Sequence, residues 1–169
     1  DAAANFPDFA NSKENIARDL ALAKDAGFTD IVVDVRPTTG DVLFKTNLVD
    51  QVKFMYAWIG SNYTKVERTA TWDYLQAFVD EARKQGLRIH AAINTFVGGN
   101  QIDGGTGLLY RDQSKAEWAT QMNMQVGITS VMNTSESTKF FNPAHPEVQT
   151  FLCDLLKDLA GYDLDGIFL

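Results

Sequence analysis

The sequence predicts a parallel α/β fold, and within that class a (β/α)8 TIM barrel of which this chain forms about the first half. Three observations predict it. An amphipathic helix, a glycine and an apolar strand recur in that order along the chain. Each inspected strand has one aliphatic face and one face carrying polar groups. Long loops follow the C-terminal ends of the strands. Helix and strand in regular alternation give parallel sheets covered by helices.

The first unit is "NSKENIARDLALAKDAGFTDIVVDVRP". Ile16, Leu20, Ala23 and Ala26 share a helical face, and Asn11 with Glu14 reads as a capping box. The second, "TWDYLQAFVDEARKQGLRIHAAINTF", has Leu75, Phe78, Val79 and Ala82 on one face and Thr71 as N-cap. The third, "HPEVQTFLCDLLKDLAGYDLDGIFL", has Val148, Leu152, Leu155, Leu156 and Leu159, with Pro146 in the first turn. Gly27, Gly86 and Gly161 fall where a helix takes a left-handed residue at its end, a conformation without Cβ strain in glycine.

Strand alternation separates a barrel from an open sheet. In "DIVVDVRP", Val32, Asp34 and Arg36 share one face opposite Ile31, Val33 and Val35; in "RIHAAINTF", Arg88, His90, Ala92 and Asn94 oppose Ile89, Ala91 and Ile93. A barrel strand wants this pattern, aliphatic toward the helices and polar where the interior opens to its mouth. An open doubly wound sheet wants both faces apolar. No G-x-G-x-x-G follows any strand, and "VGGNQIDGGTG" lacks the Gly-Lys-Ser/Thr of a phosphate cradle, so it reads as a flexible loop.

A full barrel takes about 250 residues, and this chain has 169. Residues 1–169 are therefore expected to be the N-terminal part of one barrel domain, ending on the fourth strand, with a first strand just before Asp1. Such a part is expected to be inactive and poorly stable by itself. The net charge of −7 comes without a basic stripe, which argues against a nucleic-acid partner. No apolar run reaches the ~20 residues of a membrane span, and "DAAANFPDF" has no signal-peptide pattern. Two histidines without H-E-x-x-H spacing point away from zinc, and no cofactor motif is present. Cys153, among leucines in a helical pattern, is expected to be buried.

The loops from 37 to about 70 and from 97 to about 145 are long enough to be functional. The first carries Phe44, Phe54, Tyr56, Trp58 and Tyr63; the second carries Tyr110, Trp118, Phe140 and Phe141. Aromatic faces suit the C–H faces of sugars, and Tyr56 and Trp58 are the candidate substrate platforms; small loop cores are the other use of such rings. On the polar strand face, Asp34 and the mouth residue Asp41 are the candidate catalytic carboxylates. Asp34 paired with Arg36 is the structural alternative. Arg36, His90 and Asn94 are candidate substrate contacts. Asn142, His145 and Glu147 read as a helix start, and Asp165 as a structural acceptor.

Four stretches, "GFTDIVVDVRPTTGDVLF", "EARKQGLRIHAAINTF", "FFNPAHPEV" and "YDLDGIFL", together resemble the glycosyl hydrolase-like family 10 over nearly the whole chain. The matching residues are Arg36, Pro37, Gly40 and Asp41; His90, Ala91 and Asn94; Asn142, Pro143, His145, Pro146, Glu147 and Val148; and Asp165, Gly166 and Ile167. Phe168 stands where the family tends to carry His. The resemblance implies a TIM-barrel glycoside hydrolase acting on bacterial polysaccharide, peptidoglycan glycan strands among the candidates, in an extracytoplasmic place. It also implies a catalytic carboxylate directly after Leu169. Glycoside hydrolysis by paired carboxylates is thus the leading expectation. A barrel that binds carbohydrate without cleaving it is the alternative. A Schiff-base lyase is disfavoured, because no lysine lies in an assigned strand.

Overall fold

The computed structural model describes residues 2–124, 127–130, 132–133 and 138–169. Its centre is a parallel three-stranded sheet of β1 (Asp30–Arg36), β4 (Arg88–Ile93) and β10 (Gly166–Phe168), in the order β1-β4-β10. Helices precede each strand: α1 (Ala2–Phe9) and α2 (Lys13–Asp25) before β1, α3 (Tyr74–Gln85) before β4, and α5 (Pro146–Leu159) before β10. Val33, Val35, Ile89, Ala91 and Ile93 are buried with Leu20, Leu75, Phe78, Val148 and Leu155 in one core. The opposite face is half open, with Val32 at 52% and Phe168 at 54% exposure. The strand alternation read from the sequence is the alternation observed, up to one defect. Between Asp34 and Arg36 the ladder slips, so that Asp34 pairs with Ala92 but Arg36 with Ile93. A bulge of this kind re-aims the residue that follows it.

The helix signals shift by a residue or two. Ser12, not Asn11, caps α2 by accepting from Asn15 N–H. Asn11 reaches instead across to Glu67, Thr69 and Ala70, tying the helix start to the first loop. Asp73 rather than Thr71 caps α3. Gly86 has φ +65 and Gly27 φ +89. At the end of α5 the cap is Ala160 in the right-handed region, so Gly161 does not take the left-handed role expected of it. Cys153 is exposed, which overturns its expected burial. The buried stripe of α5 is Val148, Phe151, Leu152, Leu155 and Leu159, and Cys153 falls off that stripe although it follows Leu152 in sequence.

Both long loops carry structure. The first holds the antiparallel hairpin of β2 (Phe54–Ile59) and β3 (Asn62–Glu67). The second begins with β5 (Val97–Asn100), continues through the short α4 (Leu108–Arg111) and the hairpin of β6 (Gln121–Met124) and β7 (Gly127–Ser130), and returns by β8 (Met132–Asn133) and β9 (Thr138–Phe140), which lies between β5 and β8. The glycine-rich segment expected as a loop therefore contains a strand. Its glycines let chains cross closely: a Cβ at Gly98 would lie 2.2 Å from Leu109, and one at Gly107 (φ +73) would lie 2.5 Å from Gly99 Cα. Phe44, Phe141 and Trp118 are buried, so part of the aromatic content does build loop cores.

Candidate functional site

The N-terminal end of the open sheet face is occupied by an ion cluster. Arg88 clasps Asp30 through two 2.7 Å bonds, Thr29 donates to the same carboxylate, and His90 Nε2 lies 2.9 Å from it. The Arg88 hydrogen bonds, then those of Thr29 and His90, hold the Asp30 carboxyl well below the usual carboxylate range. The His90 ring also meets Phe168 edge-on at 5.8 Å, and a Cβ on Gly166 would come within 2.8 Å of His90 Nδ1. His90 thus sits over Gly166, anchored toward the base of the sheet.

At the C-terminal end, Arg36 and Asn94 clamp the two strands. Asn94 donates its backbone N–H and its Nδ2 to Arg36 C=O. The Arg36 guanidinium returns bonds to the carbonyls of Asn94, Thr95 and Val97, and lies over the Phe141 ring. Arg36 is 1% exposed, and burial brings its guanidinium down to about 10. Expected to face a substrate, it instead organises the backbone where β4 passes into β5. The structural alternative for Asp34 is not made either: no ion pair joins it to Arg36, because the bulge turns the two apart. Burial raises the Asp34 carboxyl, the nearby backbone N–H groups of Ala2 and Arg36 oppose the rise, and its Oδ1 is buried without a partner. It lines a cavity of about 140 Å³ with Asn5 and Tyr74, where α1 covers the edge of β1.

Asp41 is 2% exposed and gripped by Arg111 at 2.6 and 2.7 Å, with Gly107 N–H as a third donor. Burial raises its carboxyl while Arg111 opposes the shift. Arg111 was not legible as its partner, since 70 residues separate them. Asp34 and Asp41 do not converge: one lies at the edge of β1, the other under α4. Asp165 accepts from Ile89 N–H and Arg83, and His145 caps α5 by accepting from Glu147 N–H.

The cleft that fits a ligand lies beyond the ends of β1 and β5. Thr38 and Thr39 form one wall, Asn100 and Gln101 another, and Phe54, Tyr56 and Tyr63 of the hairpin a third, around about 540 Å³, a size ordinary for ligand sites. Tyr56 O–H donates to Asp103, which also pairs with Lys65 at 2.7 Å. That bond fastens hairpin to loop. Asp103 has φ +49, the one described non-glycine residue with positive φ. "IDGG" was its only sequence signal. Tyr56 thus lies in the cleft wall; Trp58, 69% exposed, stands just outside it. Among the described residues lining the cleft there is no carboxylate, and no cluster of three or more described His, Cys, Asp or Glu residues is placed to hold a metal. No described helix is long and apolar enough to cross a membrane.

A parallel α/β sheet with its loops gathered over the strand ends defines the TIM-barrel class seen in glycosidases, and solved structures agree. A hypothetical protein of Ruminiclostridium thermocellum superposes with a TM-score of 0.60 at 15% identity, over 94% of this chain and 70% of that one. The galactosidase domain of the α-galactosidase-sucrose kinase AgaSK gives 0.56 at 14%, over 94% and 19%, and an α-amylase from Lactobacillus plantarum 0.56 at 18%, over 92% and 34%. These likenesses show the fold. The family comes from the sequence: residues 2–169 match the model of Glycosyl hydrolase-like 10, and the chain belongs to that family. An S-layer-related protein of Niallia circulans is 29% identical over 175 residues, covering 100% of this chain and 10% of the relative. The chain thus spans about a tenth of the length of that relative.

Proposed function

We propose that the protein is a glycoside hydrolase that cleaves O-glycosidic bonds in a bacterial cell-surface polysaccharide, peptidoglycan glycan strands being the first candidate. The observation that carries this reading is the cleft beyond β1 and β5, where hairpin aromatics face Thr38, Asn100 and Gln101. A sugar needs both kinds of wall: rings against its C–H faces, amides and hydroxyls for its hydroxyls. Hydrolysis then takes one carboxylic acid to protonate the leaving oxygen and one carboxylate to act as nucleophile or base. The family resemblance leads us to expect one of these groups directly after Leu169, in alternation with Gly166 and Phe168. Asp34, half-buried with an unpartnered oxygen, is the better second candidate than Asp41, whose oxygens Arg111 already holds. The S-layer-related relative supports an extracytoplasmic site of action.

The test is release of reducing ends from purified glycan strands. Tyr56→Ala is expected to lower kcat/KM about tenfold, roughly 1.4 kcal/mol. An unchanged value would place the site elsewhere. The carbohydrate-binding alternative is favoured by the absence of a carboxylate among the described cleft-lining residues. Retention of the glycan in an affinity gel without any released ends would establish that reading instead.

A further inference from the structure

The outer face of the β2–β3 hairpin has no packing role that explains its composition. Its inner face does: Met55 and Ala57 are 5% and 3% exposed, and α1 packs against β2. On the outer face Trp58 and Tyr63 are cross-strand partners, 69% and 57% exposed, with ring centroids 5.3 Å apart. Tyr63 stacks in turn on Tyr56 at 5.3 Å and an interplanar angle of 27°, and Tyr56 meets Phe54 at 6.2 Å. The rings form one continuous row. Phe54, Tyr56 and Tyr63 lie in the cleft wall, and Trp58 extends the row into solvent near the hairpin turn. A cross-strand pair that merely stabilised the hairpin would stop at Trp58 and Tyr63. Contiguous exposed rings joined to a cleft mark a contact surface.

The polar groups beside the row narrow the occupant. Lys65 sits 4.2 Å over Phe54 and pairs with Asp103, which also takes the Tyr56 hydroxyl. This rail carries both charges and so selects neither an acidic nor a basic ligand. It offers hydrogen bonds along the edges of flat apolar faces, the alternation that a row of pyranose units presents.

We infer that Trp58, beside Tyr63 of the cleft wall, forms an outlying sugar subsite continuous with the cleft, so that the substrate is a glycan chain lying across the hairpin rather than a short saccharide held in the cleft alone. This rests on the glycan reading of the cleft and adds chain-length dependence to it. The experiment measures binding of peptide-free peptidoglycan glycan strands, fractionated to disaccharide and to octasaccharide, by calorimetric titration of the protein. Trp58→Ala is expected to weaken octasaccharide binding at least tenfold and leave the disaccharide unchanged. Trp58→Phe, which keeps a ring, is expected to retain most of the affinity. The Trp58 side chain is exposed, so an unchanged unfolding temperature is the control for the fold. Octasaccharide binding that is equal in the wild type and Trp58→Ala would overturn the subsite while leaving the cleft reading in place. Equal loss of both ligands would also overturn it, since the ring would then belong to the cleft itself. Failure of the wild type to bind either fraction would overturn both.

Discussion

Replacing Arg36 by Met removes a buried cation of similar length and leaves three carbonyls, those of Asn94, Thr95 and Val97, without their donors. Two effects oppose each other. A guanidinium brought down to about 10 by burial costs the folded state about 3 kcal/mol at neutral pH, and Met relieves that cost. Hydrogen bonds from a charged donor contribute about 1.5–3 kcal/mol each, and three are lost. The hydrogen bonds win, by about 1.5–6 kcal/mol. For a domain of this size each kcal/mol moves the unfolding temperature by about 2–4 °C, so Arg36→Met should melt at least about 3 °C below the wild type in scanning calorimetry. Arg36→Lys should fall between the two, because one ammonium cannot reproduce the planar fork. Amide exchange just after β4 should quicken in both variants. An Arg36→Met melt within about 1 °C of the wild type would refute the assignment of Arg36 as the clamp of this turn.

Asp34 gives a pH prediction with a definite sign. Burial raises its folded carboxyl above the ordinary 3.8, so the folded state holds the proton more tightly. The associated stability is present in acid and is lost as pH rises from 3.8 through the folded value. Asp34→Asn should therefore gain on the wild type in urea midpoint over that rise, and parallel curves would count against it. Gly166→Ala should force the His90 ring off its seat and destabilise by about 1–3 kcal/mol. Adding His90→Ala should recover part of that loss, which a double-mutant cycle of unfolding free energies detects as a coupling above about 0.5 kcal/mol. Cys153, exposed on α5, should react stoichiometrically with a thiol reagent under native conditions, as absorbance of the released thiolate would record.

The helices and strands of the sheet were legible because burial writes itself into sequence as period: Leu75, Phe78 and Val79 mark one helical face, Ile89, Ala91 and Ile93 one strand face. Position within that frame was less legible. The bulge after Asp34 leaves no trace in "DIVVDVRP", yet it decides that Arg36 turns away from Asp34 and toward the backbone of the next turn. Cys153 misleads for a related reason, since adjacency to Leu152 says little when successive helical residues diverge around the axis. The cleft was half visible. Tyr56 and Trp58 stood out as aromatics in a loop after a strand, whereas Thr38, Asn100 and Gln101 join them only through contacts distant in sequence. Arg111 for Asp41 and Asp103 for Tyr56 belong to the same class of long-range partner.

The close crossing of Gly98, Gly99 and Gly107 has an evolutionary consequence. At Gly98 even a methyl group would meet Leu109, while at Gly60 in the hairpin turn an added Cβ would touch nothing within 4 Å. Drift in this protein is therefore channelled: residues under the mouth must stay minimal, and the projecting tip has room to change within the left-handed backbone of Gly60 (φ +61). Relatives should vary more at Ser61 than at Gly60, whose φ of +61 favours glycine, and least along the glycine crossing.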